Sequence, residues 1–121
     1  ICCYIDDIYA IADLLTKFSG FQLRKIKDYI QNPKPNGYRS FHMILDVPVY
    51  MSSGKQTAPV EIQIRTIAMD FWASLEHQLH YKSTGDPKIA ATLTDELKAC
   101  AETIAATDEK MQDMFKQINL L

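Results

Sequence analysis

The sequence predicts an α+β domain, a β-sheet flanked by helices, in a single unit of 121 residues. Two periodicities predict it. Apolar residues recur at helical spacing over 5–18, 67–82 and from 87 onward, and they alternate with polar residues over 21–30, 40–50 and 59–66. A third observation orders the strands: NPKPNG (32–37) and MSSGKQTA (51–58) carry turn residues between the alternating segments.

Each element has its own signature. ICCYI (1–5) reads as the end of a buried strand, and a chain that opens there without Met is expected to have lost preceding sequence. IDDIYAIADLLTKF (5–18) places apolar residues at 8, 11, 12, 14, 15 and 18, with Asp6 or Asp7 as N-cap and Gly20 near the C-cap. FQLRKIKDYI (21–30) reads as a strand with Leu23, Lys25 and Lys27 on one face and Arg24, Ile26 and Asp28 on the other. SFHMILDVPVY (40–50) is a second strand, and Pro48 marks an edge or a strand end. MSSGKQTA is expected to turn the chain into a third strand, PVEIQIRT (59–66), closing a hairpin. IAMDFWASLEHQLHYK (67–82) is an amphipathic helix with Ala68, Phe71, Trp72, Leu75 and Leu79 on its buried side. Asp86 and Pro87 form an N-cap and N1 pair for a last helix, dividing the domain into 1–85 and 86–121. In that helix Leu93, Leu97, Cys100, Ile104, Thr107, Met111, Met114, Ile118 and Leu121 follow alternating 4,3 spacing, a stripe fit for the domain's own core or for a subunit contact.

Composition excludes several classes. The 47% hydrophobic and 23% charged content is that of a water-soluble globular domain, and no apolar run reaches the ~20 residues of a membrane span. Three cysteines without CxxC spacing fit a reducing cytoplasm, where they act as small hydrophobes. A net charge of −2 provides no field for long nucleic acid. Its distribution is uneven: residues 21–42 hold Arg24, Lys25, Lys27, Lys34 and Arg39 against one acid, Asp28, a local patch suited to a small polyanion or to a solvated face.

The chemistry gathers on two strands. Alternation puts Glu61, Gln63 and Arg65 on one face of PVEIQIRT and Tyr38, Ser40 and His42 on one face of the preceding segment. Coinciding polar rows make the floor of a ligand cleft. Tyr38 can stack on a base; Lys27, Lys34 and Arg39 can neutralise phosphates; Asn36 can add a polar contact; Glu61 is a hard oxygen ligand for Mg²⁺. Glu76 can accept from the guanine N1–H edge or lie solvated on its helix. There is no P-loop and no GxGxxG, and EHQLH (76–80) has its histidines at i, i+3 rather than the i, i+4 of a zinc helix. Asp6 and Asp7 are explained by helix capping without a metal.

KDYIQNPKPNGYRSFH (27–42) together with VEIQIRTIAMDFWASLEHQLHYK (60–82) strongly resembles the synthetase domain of the RelA/SpoT alarmone enzymes, above all the small stand-alone synthetases. The resemblance implies a mixed sheet with flanking helices, a nucleotidyltransferase-like fold that moves the ATP pyrophosphate onto the ribose 3′-hydroxyl of GDP or GTP. It implies Tyr38 stacking on the acceptor guanine and Lys27, Lys34, Asn36 and His42 holding that nucleotide. Glu61 matches the catalytic, Mg²⁺-associated glutamate, and Gln63 and Ala73 line the guanosine pocket. The family's ATP-gripping basic residues and its main Mg²⁺-binding aspartate belong upstream of ICCYI, so this chain is expected to bind guanine nucleotide weakly and to make no alarmone alone. A guanine-nucleotide-sensing module and a toxin-like enzyme acting on another 3′-hydroxyl, such as a tRNA end, are the alternatives. The family analogy further implies a homotetramer, and the cysteine usage a cytoplasmic protein.

Overall fold

A computed structural model describes residues 1–82 and 85–120. The chain runs α1 (Ile5–Phe18), β1 (Gln22–Asp28), β2 (Phe41–Met51), β3 (Gly54–Ile64), α2 (Ile67–Lys82) and α3 (Pro87–Asn119). The three strands form an antiparallel sheet in the order β1-β2-β3. Cys2 makes an isolated parallel bridge to Thr66 just beyond β3, and the three-stranded sheet itself is antiparallel rather than mixed. Past this bridge the N-terminal segment turns into α1, with no further strand pairing among the described residues.

Alternation along β2 works as expected. Phe41, Met43 and Leu45 are buried and pack with Ile8 and Ala12 of α1, Ile64 of β3 and Met69 of α2. Burying such side chains stabilises by about 1.5–3 kcal/mol each, which makes this one layer of contacts the main driving force for folding. The opposite face of the sheet carries the polar row.

β1 departs from simple alternation. Leu23 pairs with Leu45, yet Lys25 pairs with Ile44, so Arg24 is an extra residue in a β-bulge. One inserted residue reverses the faces on either side of it. Leu23 therefore joins Ile26 and Asp28 on the core side, opposite Leu45, Met43 and Phe41, whereas Lys25 and Lys27 face away from it. Arg24 pairs with Asp46 at 2.9 Å. Asp28 ends the strand: its Oδ1 accepts from the N–H groups of Ile30 (2.9 Å) and Gln31 (3.1 Å), and its Oδ2 from the Tyr9 hydroxyl (2.8 Å). Burial, then the Asp28 hydrogen bond and charge, push the Tyr9 phenol up to about 12.

The hairpin is longer than its apolar pattern. Pairing begins at Met51 and Gly54, so Gly54–Ala58 is strand rather than turn, and only Ser52 and Ser53 bridge. Gly54, at φ +120°, makes the sharp reversal. Most of these residues are exposed, so no apolar alternation marks them. Pro48 does not end β2; it lies opposite Thr57, beyond the last β1 pair at Asp46, where β2 has one neighbour.

The helices bury faces other than those predicted. Tyr4, not Asp6 or Asp7, occupies the α1 N-cap and gives no side-chain cap. Instead α3 supplies it: Gln112 Oε1 accepts from the Asp6 N–H at 2.7 Å, and Phe115 stacks on Tyr4 at 4.1 Å. The start of α2 is served likewise. Thr66 accepts from the Met69 N–H (3.2 Å) and donates to Asp108 Oδ2 (2.6 Å). Unpaired N–H groups at a helix start are costly when buried, and α3 turns its Asp108–Gln112 face inward to satisfy two such starts. Its apolar stripe is left aside: Leu93, Leu97 and Ile104 are half-buried, while Cys100, Thr107, Met111, Met114 and Ile118 are exposed and Leu121 lies outside the described residues. In α2, Met69 and Trp72 are buried and Ala68 is half-buried, but Phe71, Leu75 and Leu79 are exposed. The Trp72 indole N–H donates to Leu97 O at 2.8 Å, tying α2 to α3. Asp86 caps α3 through the Lys88 N–H at 2.9 Å, with Pro87 in the first turn. Of the cysteines only Cys2 is buried; Cys3 and Cys100 are exposed.

Candidate acceptor-nucleotide site

The loop between β1 and β2 leaves at Tyr29, whose N–H donates to Ser40 O (2.9 Å), and folds on itself. Asn36 Oδ1 accepts from the Tyr38 N–H (3.0 Å), Lys34 N–H donates to Tyr38 O (3.1 Å), and Gly37 N–H donates to Lys34 O (2.8 Å). Gly37 lies at φ +98° with its Cα against α3, where a Cβ would come within 2.6 Å of Ala101 Cβ. Turn chemistry thus closes the loop, and glycine lets it seat against the helix. The same bonds occupy the Asn36 carbonyl oxygen and leave its amide N–H groups for other partners.

Sheet register then assembles the polar row. Lys27 pairs with His42 and His42 with Gln63; Lys25 pairs with Ile44 and Ile44 with Glu61. The Tyr38 hydroxyl meets His42 Nε2 at 3.0 Å, and His42 Nδ1 meets Glu61 Oε1 at 3.2 Å. Gln63 Nε2 reaches the same oxygen at 3.5 Å. A carboxylate only accepts, so the His42 proton sits on Nδ1, and in the neutral ring Nε2 accepts from Tyr38. Burial lowers the His42 pKa; Glu61 opposes this, and Arg65, Lys34 and Lys27 add to it. The imidazole is therefore neutral at pH 7.

Around Tyr38 lie Tyr29 (6.1 Å between centroids), His42 (5.8 Å) and Trp72 (6.5 Å). The Lys34 ammonium stands 4.9 Å from the Tyr29 ring and 5.1 Å from that of Tyr38. Such a cation over aromatic faces is held by about 0.5–1 kcal/mol at an exposed position, weak enough for a flat base to displace. Glu61 is half exposed, at 48% of its side chain. Its Oε1 is engaged, and no hydrogen bond or ion pair is made by its Oε2 among the described residues. That free oxygen fits a hard cation, which needs only one or two carboxylates beside phosphates and water. No cluster of three or more metal-binding side chains exists among the described residues.

Tyr38, His42, Glu61 and Gln63 come together in direct contact, with Lys27 and Lys34 beside them. Ala73 and Glu76 are half-buried on α2, Ala73 directly following the Trp72 that borders Tyr38. Arg39 is not brought to the cluster. It is 8% exposed and lines two cavities against α3, about 310 and 490 Å³, with Gln31 and Glu109 in both. Parity explains this: Arg39 follows Tyr38 and points to the other side. Two contributors, Tyr29 and Asp70, escaped the sequence reading. Tyr29 extends the aromatic cluster, and Arg65 donates to the Tyr38 hydroxyl (3.2 Å) and to Gln63 Oε1 while pairing with Asp70 (3.3 Å). Arg65 was legible as a member of the 61/63/65 face, but nothing local predicts that Asp70 of the next helix would meet it.

Residues 1–86 match the model of a region found in RelA/SpoT proteins. The chain is 49% identical over 119 residues to the GTP pyrophosphokinase YwaC of Bacillus subtilis, covering 98% of this chain and 56% of that protein. Its fold matches the crystal structure of small alarmone synthetase 2 from B. subtilis, with a TM-score of 0.88 and 51% identity over 97% of this chain and 64% of that one. Small alarmone synthetase 1 from the same organism, bound to its product pppGpp, matches with a TM-score of 0.87 and 35% identity over 98% of this chain and 59% of that one. The chain thus spans little more than half the length of the curated relative, and it belongs to the RelA/SpoT family.

Proposed function

We propose that the protein transfers the pyrophosphate of ATP to the ribose 3′-hydroxyl of GDP or GTP, giving ppGpp or pppGpp, and that the loop and polar sheet face form its acceptor side. The observation that carries this reading is the contact chain Tyr38–His42–Glu61, flanked by Lys27 and Lys34 on one face of the sheet. The names of the relatives and the pppGpp bound to one of them support it.

The residues divide the work. Guanine stacks on Tyr38, displacing the Lys34 ammonium from the ring toward the acceptor phosphates, where Lys27 joins it. Gln63 and Ala73 border the nucleoside, and Glu76 offers its carboxylate to the guanine N1–H edge. His42, neutral, donates from Nδ1 to Glu61 and so keeps that carboxylate oriented. Glu61 Oε2 would hold Mg²⁺ or accept the 3′-hydroxyl proton. When bound, the magnesium ion neutralises charge on the transferred phosphates. Because phosphoryl-group transfer depends mostly on position and electrostatics, a rigid acceptor cradle is an effective contribution.

Cytoplasmic residence and a homo-oligomer, a tetramer by family analogy, are part of the same reading. Exposed Phe71, Leu75 and Leu79 on α2 and Met111, Met114 and Ile118 on α3 support the second. No described helix is long and apolar enough to cross a membrane. Incubating the full-length protein with labelled ATP and GDP, GTP, AMP or tRNA tests the activity. Product with GDP or GTP, and its loss in Glu61→Gln with GDP affinity kept, is expected; labelling of tRNA in preference would overturn the proposal.

A further inference from the structure

The Arg65 guanidinium meets three side chains from three parts of the fold. It donates to the Tyr38 hydroxyl of the loop at 3.2 Å, to Gln63 Oε1 of β3, and to Asp70 Oδ1 of α2 at 3.3 Å. It also stands 5.7 Å from the centroid of the Tyr38 ring. Its side chain is 18% exposed, so these contacts form with little competition from water.

A guanidinium has five N–H donors and no acceptor. Whatever touches it must present an acceptor and turn its own hydrogens elsewhere. Tyr38 accepts from Arg65, so its O–H points to His42 Nε2, 3.0 Å away. Gln63 gives Arg65 its carbonyl oxygen, so its amide N–H groups point to Glu61 and the open face. Asp70 Oδ1 accepts from Nη1 while Nη2 serves Tyr38 and Gln63, so both ends of the fork are tied at once.

We propose that Arg65, braced by Asp70, is a positioning residue of the acceptor site that pins the Tyr38 ring and sets the direction of the Tyr38 and Gln63 hydrogen bonds. The consequence for ligand binding rests on the acceptor reading above. With Arg65 in place, the nucleoside meets a fixed aromatic platform and an amide that can only donate toward it. Without Arg65, the ring and the amide sample other orientations, and their ordering must be supplied on binding.

Calorimetric titration of GDP into wild-type chain, Arg65→Met, Tyr38→Phe and the double variant tests the mechanism. Because Arg65 acts through the Tyr38 hydroxyl, each single change is expected to weaken GDP about tenfold, the worth of one charge-assisted hydrogen bond. The double variant is expected to be no weaker than about threefold below either single one. Strictly multiplicative losses, or Arg65→Met within twofold of wild type, would overturn the proposal. Arg65→Lys keeps the charge but not the fork and is expected to stay as weak as Arg65→Met; full rescue by lysine would also overturn it. Should Arg65→Met fail to fold, Asp70→Ala removes the brace without touching the sheet and is expected to weaken GDP in the same direction.

A ligand-free readout separates this inference from the acceptor reading. The flipping rate of the Tyr38 ring, from NMR of ¹³C-labelled tyrosine, is expected to rise at least about tenfold in Arg65→Met. A faster ring in a chain that ignores GDP would support the pinning and refute the acceptor reading. Unchanged flipping in a chain that binds GDP normally would do the reverse.

Discussion

Gly37→Ala probes the seat of the β1–β2 loop on α3, and its cost follows from two terms. At φ +98° an L-residue sits in the left-handed half of conformational space, at about 1–2 kcal/mol. The added Cβ would lie 2.6 Å from Ala101 Cβ, with Lys98 Cα at 3.5 Å and Trp72 Cζ2 at 3.7 Å. Carbon atoms rest about 3.5–4.0 Å apart, so only the Ala101 contact is a clash, and both partners are short, backbone-anchored atoms. Relieving an overpacked contact of this kind costs about 1–3 kcal/mol. The sum, about 2–5 kcal/mol, predicts a Tm lowered by roughly 8–20 °C for a domain of this size. Thermal unfolding by circular dichroism measures it. The two terms separate in an Ala101→Gly background, where the clash is absent and Gly37→Ala should cost only the dihedral part, about 1–2 kcal/mol. Equal costs in both backgrounds, or a loss under about 1 kcal/mol in the wild type, would refute the close seating of loop on α3.

Two further outcomes test the packing beneath the site. Thr66→Val leaves Asp108, only 5% exposed, without its 2.6 Å donor and strips the start of α2 of a cap; about 2–4 kcal/mol should be lost in urea unfolding. Thr66→Val with Asp108→Leu should recover the part due to the buried, unpaired Asp108 and leave only the lost cap at the Met69 N–H, about 1 kcal/mol. Tyr9 gives a pH signature: its pKa is raised from 10.0 to about 12, so the folded state holds the proton more tightly than the unfolded. Its stabilisation is whole below pH 10.0 and is lost as pH rises toward about 12. Urea midpoints between these limits should therefore fall more steeply in wild type than in Tyr9→Phe, and identical slopes would remove the Tyr9–Asp28 linkage.

The site was more legible than the packing beneath it, and the reason is locality. Period-two alternation in VEIQIR, with one apolar face, gave the shared row of Glu61, Gln63 and Arg65 directly. Pro33, Pro35, Asn36 and Gly37 announced a turn, and the parity of Tyr38 and His42 placed both beside Glu61. Arg39 obeyed the same parity and went to the other side. What sequence reading missed depends on partners far along the chain. The Arg24 bulge exists only as a mismatch between β1 and β2, and it moved Leu23 across the sheet. The buried face of α3 is polar at Asp108 and Gln112 because α1 and α2 bring unpaired N–H groups to it. No periodicity within residues 87–119 encodes that demand.

The central claim is that this loop and sheet face bind a guanosine nucleotide through Tyr38. Calorimetric titration of GDP and ADP, with Mg²⁺, into the wild-type chain and Tyr38→Ala tests it most directly. A stacked base is worth about 1–3 kcal/mol, so the account predicts GDP bound in preference to ADP and weakened about 5- to 150-fold in Tyr38→Ala, the fold remaining intact by circular dichroism. Equal affinity for GDP and ADP, or GDP binding unchanged by Tyr38→Ala, would contradict it.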